Sequence, residues 1–286
     1  MNRYCGREFT AAEILAIRQL IDASAQQTRR ELSRRCCERL GWRKPDGGLK
    51  DMSCRVALLR MEQDGLIKLP AARLTNFAAC RCEPTPASAP ESAIRQPVHE
   101  LAAPAFHLVR AKKDSRLWNE YIQRYHYLGY KPLGGAQLRY FVSIDGRFVA
   151  LLGFGAAAWK TAPRDQFIGW TPEQRLKNGH LIVNNARFLI LPWVQSKGLA
   201  STILARIARL LPAHWQQRYG YRPVLLETFV QTDRFRGTCY KAANWIHVGQ
   251  TQGRGKLDVT HQAALPVKDV WLYPLSRHFK QALNQP

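Results

Sequence analysis

The sequence predicts an α+β protein: a small helical module, then a larger unit built on one central mixed sheet. Three observations carry that expectation. Apolar residues recur at helical spacing through residues 1–75. A stretch over 76–104, rich in Pro, Ala and Ser, has no periodicity and reads as a linker. From residue 105 onward the order is hairpin, strand, helix, strand, helix, the pattern of helices packed on a single sheet. With 286 residues and 46% hydrophobic content, the chain has room for two units and enough apolar matter for a core in each.

In the first module, Thr10 is placed to cap a helix, with Glu13 at the capping-box position and Ile14, Ile17, Leu20 and Ile21 on one face. A second helix runs through QTRRELSRRCCERLGW with Leu32, Cys36 and Leu40 inward, ending at Gly41. KPDGG is a turn, and a third helix follows, stopped at Gly65. Three short helices leading into DGLIKLP resemble a helix-turn-helix or winged-helix module for DNA. Its third helix is then expected to offer Lys50, Ser53, Arg55 and Arg60 to nucleic acid while Val56 and Leu59 pack inward. A plain helical bundle with solvated arginines fits the same residues.

In the larger unit, QLRYFVSIDGRFVALLGFGAA reads as two strands joined at Asp145-Gly146. GHLIVNNARFLIL is a further strand. SKGLASTILARIARLLPAHWQQRYG is a helix with Leu199, Ile203, Ile207 and Leu210 inward. RPVLLETFV is a buried strand, and GTCYKAANWIHVG a short helix running into a turn.

Charge is the outlying property. The chain carries 43 Lys and Arg against 21 Asp and Glu, a formal +22. Residues 105–286 alone hold 26 basic and 9 acidic residues. A polyanion is the natural partner of such a surface, and nucleic acid precedes a membrane because no amphipathic anchor or long apolar run accompanies the charge. Cysteines at 5, 36, 37, 54, 80, 82 and 239 are odd in number and unevenly spread, which points to reduced thiols and a cytoplasmic protein. Neither Cys36-Cys37 nor Cys80-Arg-Cys82 has the usual spacing of zinc ligands.

The loop Gln195-Ser-Lys-Gly198-Leu-Ala200 follows a strand and opens a helix, where free amides and the helix dipole favour a phosphate. In that setting the pattern resembles the pyrophosphate loop of the GNAT acetyltransferases. The resemblance implies acetyl-CoA as cofactor, the strand before the loop as the fourth of that sheet and PVLLETFV as the fifth. Tyr240 then stands near the acid that protonates a departing thiolate, and Glu227 where a base could sit. A tight strand-to-helix turn accounts for the loop equally well, and acetyl transfer alone does not call for so much positive charge.

Five runs, YIQRYHYLGY, RDQFIGW, NNARFLILP, LLETFVQTDRFRGTCYKAANW and GQTQGRG, together resemble the DruA family. The resemblance implies a DNA-associated role in anti-phage defence or transposition, with defence-system or transposase proteins as further partners. If DNA is the substrate, Tyr240 is a candidate nucleophile. Glu227, Asp165 and Asp233 are then candidate ligands for Mg2+. Asn185, Arg187, Arg234 and Arg236 are placed to clamp phosphates, and Arg254 and Lys256 to follow the backbone. Core packing of Tyr240 and a structural Glu227–Arg187 pair are the competing readings. DNA strand cleavage or transfer, acyl transfer and a non-catalytic DNA-binding adaptor therefore stay open.

Overall fold

The computed structural model describes residues 2–23, 27–71, 82–254, 263 and 265–286. They fall into two compact units, Met1–Arg81 and Cys82–Pro286.

The smaller unit begins with a feature the helical pattern did not announce, a hairpin of β1 (Asn2–Tyr4) and β2 (Arg7–Phe9). Helices α1 (Ala11–Asp22), α2 (Arg29–Arg39) and α3 (Asp51–Gln63) follow. Thr10 and Glu13 close a capping box on α1, and Thr28 and Glu31 close a second on α2. Ile17, Leu32, Cys36, Leu58 and Met61 form the core. In α3 the inward face is Cys54, Ala57, Leu58 and Met61, whereas Val56 and Leu59 are exposed at 39% and 40%. This corrects the expected register by a residue or so. Arg55 is half-buried and paired with Asp51 at 3.3 Å, and exposed Met52 joins Val56 and Leu59. The outer face of α3 is thus more apolar than a phosphate-reading helix requires.

The larger unit is a seven-stranded mixed sheet. Its strands are β3 (Ala105–Leu108), β4 (Leu138–Ile144), β5 (Arg147–Ala156), β6 (Ile182–Ile190), β7 (Leu225–Gln231), β8 (Ile246–Gln250) and β9 (Lys268–Pro274). They lie in the order β3-β4-β5-β6-β7-β9-β8. Every neighbouring pair is antiparallel except β6 and β7, which are parallel and joined by the 21-residue helix α7 (Leu199–Tyr219). Asp145 and Gly146 both take positive φ, as the tight β4–β5 turn demands. Around the sheet lie α4 (Lys112–Tyr125), α5 (Ala162–Ile168), α6 (Pro172–Asn178), α8 (Thr238–Ala242) and α9 (Phe279–Leu283). No helix among the described residues is long and apolar enough to cross a membrane.

Strand alternation sorts residues between the two faces. Tyr140, Leu152 and Phe188 lie in register on one face, where Tyr140 bonds His214 of α7. Arg139, Gly153 and Arg187 lie in register on the other, where Trp118 of α4 sits so close over Gly153 that a Cβ there would approach within 3.1 Å. In α7 the buried stripe is Ile203, Leu204, Ile207 and Leu211; Leu210, expected inward, is 39% exposed.

The expected linker is corrected as well. Residues 76–81 lie outside the described residues, but the chain from Cys82 belongs to the larger unit. Ser88 and Ile94 are buried, and Ile94 makes a parallel bridge to Val194 with amide bonds of 2.9 and 2.8 Å. Buried Glu120 accepts from the Thr85 amide and from the Ser88 hydroxyl at 2.6 Å. A segment with few apolar residues is held by Ile94, by main-chain bonds and by side chains of the larger unit, among them Glu120, Tyr125 and Arg147, none of which a composition count detects.

Candidate active site in the divided sheet

The β6–β7 ladder is short. It pairs Ile182, Val183 and Asn184 with Leu225, Leu226 and Glu227, then stops. A register shift on the β5 side leaves Ala186 as the extra residue of a bulge between Asn185 and Arg187. Beyond this point a cavity of about 560 Å3 is lined by residues of both strands. One face of the sheet contributes Phe188, Thr228, Ala200 and Tyr240, and the other Arg187, Phe229, His126 and Tyr127. The cavity reaches across the sheet at its parallel seam, the only one between its strands among the described residues.

Tyr240 sits at the wall of this cavity, 7% exposed. Its hydroxyl donates to Asn185 Oδ1 at 3.0 Å and lies 3.4 Å from Thr228 Oγ1, while Thr228 donates to the Asn185 carbonyl at 3.1 Å. Phe188 and Trp245 pack edge-on to its ring at 6.2 and 5.1 Å. Burial pushes the phenol up, so it keeps its proton at neutral pH. The turn before α8 explains GTCYKAANW. Gly237 is left-handed at φ 65°, and a Cβ there would meet the Trp271 ring at 2.9 Å. Cys239 lines the same wall as a thiol held above its usual range by burial.

Glu227 does not share this site. It neighbours Thr228 on β7 and so points to the opposite face, fully buried. There it accepts from Arg164 at 2.7 Å and from the Ala158 amide at 2.6 Å. Burial pushes its carboxyl up, and the guanidinium pulls it back. Asp165, on α5, binds Arg164 at 2.8 Å and Arg175 at 3.2 Å. The carboxylates at 227 and 165 are therefore consumed by a buried ion-pair network, with Arg164 rather than Arg187 as partner. Asp233 is exposed. No metal-binding cluster occurs among the described residues, so the expected Mg2+ site of Glu227, Asp165 and Asp233 is not assembled. Glu227 and Tyr240, expected on one face, are separated by the sheet.

The remaining candidates divide as follows. Ala200 lines the cavity, while Gln195 and Gly198 are exposed on the loop leading into α7. Gly198 is left-handed at φ 84°, and the Ser196 hydroxyl is buried without a partner among the described residues. Asn185 is buried and orients Tyr240 rather than facing solvent. Arg187 lines the cavity; its Nη1 donates to the Ala186 carbonyl, and its buried Nε has no partner among the described residues. Arg236 is exposed and lines the cavity, and Arg234 lies over the Tyr127 ring at 4.9 Å. Arg254 lies away from the cavity lining, and Lys256 lies outside the described residues. Lys50, Ser53, Arg55 and Arg60 belong to the smaller unit. Sequence reasoning missed Lys268, which lies outside every motif, and Phe188 and Thr228, which lie within two of the motifs but were given no role; all three line the cavity. His126, within the motif YIQRYHYLGY, lines the cavity as well. Burial and the Arg187 charge push that imidazole down to about 4, leaving it neutral.

The strand order, the split parallel pair with its bulge, and a phenol beside the split define an α+β protein built on a divided mixed sheet flanked by helices. Residues 60–265 match the family described as Druantia protein DruA, and the chain belongs to the DruA family. No curated protein matches it. Among solved structures, the chain is similar to the ribosomal-protein-S18-alanine N-acetyltransferase from Escherichia coli, at 12% identity and a TM-score of 0.39 over 61% of this chain and 95% of that one. It is similar also to an N-acetyltransferase from Staphylococcus aureus Mu50, at 8% identity and a TM-score of 0.36 over 61% and 99%. A third is the aminoglycoside acetyltransferase AAC(6')-Ib with coenzyme A, at 14% and 0.39 over 63% and 96%.

Proposed function

We propose that the larger unit binds an acyl-coenzyme A in the cleft between β6 and β7 and transfers the acyl group to an acceptor. The observation that carries this reading is the cleft itself: a parallel ladder that stops at Asn184–Glu227, with protonated Tyr240 on its wall and the opening of α7 at Ala200. The residues present fit such a cofactor. The loop Gln195–Ala200, exposed at Gln195, Lys197 and Gly198, leads into a helix N-terminus suited to a pyrophosphate, and the Ser196 hydroxyl, unpartnered among the described residues, belongs to it. Bound there, an acyl-CoA supplies an acyl group activated by a thiolate leaving group.

This chain's residues then have separable tasks. Asn185 and Thr228 hold the Tyr240 hydroxyl in place, and Tyr240 stores the proton that a leaving thiolate takes up. Phe188 and Phe229 exclude water from the split. Glu227 has a structural task, so the proton of the acceptor is not assigned to it. The phosphodiester reading loses its metal ligands in this arrangement. A non-catalytic role in nucleic-acid engagement remains a second reading, favoured by the net positive charge of residues 105–286.

The test follows transfer of label from radiolabelled acetyl-CoA to mixed amine acceptors (a peptide, a polyamine, a nucleotide pool and an oligonucleotide). Tyr240→Phe should lower the rate about 100-fold while leaving the acetyl-CoA-induced rise in melting temperature intact. Equal rates for the two proteins, or no label transfer at all with a flat melting temperature, would overturn the proposal.

A further inference from the structure

The face of the cavity opposite Tyr240 has a composition that neither the acyl chemistry nor the fold explains. Tyr127 stacks on His126 at 4.9 Å, and Phe235 meets Tyr127 at 5.1 Å while remaining 46% exposed. Arg234 covers the Tyr127 ring, and Arg187 and Arg236 line the cavity just inside. Asp233 stands exposed on the same turn, but the described residues lining the cavity include no carboxylate. His126 Nδ1 accepts from the Leu128 amide at 3.2 Å, so the neutral ring offers only an Nε2–H donor outward.

This wall is made of aromatic faces and donors. A cationic amine finds no acid to pair with it there, whereas a planar group bearing a phosphate finds both stacking surface and charge. We infer that the mouth formed by His126, Tyr127, Arg187, Arg234, Phe235 and Arg236 binds an unpaired nucleobase and its neighbouring phosphate, and that the acyl acceptor is a single-stranded nucleic acid. One phosphate needs one or two cations; the 26 basic against 9 acidic residues in 105–286 fit a strand better than a free nucleotide. A duplex is disfavoured because its bases are stacked on one another and unavailable to the exposed ring of Phe235, which Tyr127 supports from behind. The inference rests on the acyl-transfer reading only for the word acceptor, and the binding itself is tested separately.

The experiment measures fluorescence anisotropy of a labelled 20-nucleotide single strand with the full chain. Competitors are the same sequence as duplex, a nucleoside monophosphate, and heparin. The single strand should compete at least tenfold better than the duplex or the monophosphate. Phe235→Ala should weaken it about tenfold while leaving heparin binding within twofold. Arg234→Gln is the second variant and should lower both strand affinity and its salt slope. Phe235 is exposed, so its replacement leaves the core untouched.

Equal competition by heparin, or no effect of Phe235→Ala, would reduce the mouth to general charge and overturn the inference. A monophosphate binding as tightly as the strand would overturn the strand in favour of a free nucleotide. Acetyl-CoA-induced stabilisation, read alongside, separates the outcomes: strand binding without it sinks the acyl reading alone, and stabilisation without strand binding sinks this inference alone.

Discussion

Arg164 is the residue on which the interior of the larger unit depends most. It is 1% exposed and serves both Glu227 and Asp165. Removing it strands a carboxylate in the sheet, so Arg164→Met should cost about 3–5 kcal/mol in urea denaturation. Replacing the pair together, with Glu227→Leu added, should recover most of that loss. A neutral Arg164→Met would show that the Ala158 amide alone satisfies Glu227. His126 yields a pH effect of fixed sign. Its folded pKa, about 4, lies below the ordinary value of 6.5, so the unfolded chain binds the extra proton between those values. The contribution is complete above 6.5 and is lost as pH falls towards 4, by roughly 2–3 kcal/mol. His126→Gln should flatten the pH dependence of melting in that window. At this scale the sequence was half legible. An acid inside VLLETFV announced a buried carboxylate needing a partner, yet Arg164 is 63 residues away, and only the fold reveals the match. Tyr240 was legible as special because a phenol in a run of small residues must find a hydrogen bond.

At the scale of elements, strands β4 to β7 and helices α7 and α8 were readable from periodicity, and the Asp145-Gly146 turn from its chemistry. The short helices α5 and α6 and the strands at both sheet edges were not, since four to seven residues carry too little pattern. The strap over residues 82–104 escaped for another reason: long-range main-chain bonds hold it, and these leave no compositional trace. It can be tested. Glu120→Ala removes the acceptor shared by Thr85 and Ser88, so deuterium uptake at the amides of Ser88, Ile94 and Val98 should rise several-fold while β5 stays protected. Unchanged uptake would mean that the Ile94 bridge, the Tyr125–Ser88 bond and the Arg147–Glu91 pair anchor the strap without Glu120.

Across the whole molecule, charge and topology point to different partners, and the division of the sheet reconciles them. The strand order and the seam between β6 and β7 open a cavity whose Tyr240 face suits the proposed cofactor. Exposed Arg234, Phe235 and Arg236 mark the mouth on the other face. Family membership was legible from five ordered motifs, two of which, NNARFLILP and LLETFVQTDRFRGTCYKAANW, run through β6, β7 and α8, the elements that build the cleft. The position of Glu227 was not, because a shift of one residue along a strand exchanges the faces of the sheet. The most direct measurement is calorimetric titration of acetyl-CoA into the full chain and into Ala200→Trp, which fills the cavity where α7 begins. Saturable one-to-one binding to the first, lost or weakened at least tenfold in the second, is the predicted result. Absence of binding to the native chain, or equal binding to both, would contradict the assignment of this cleft.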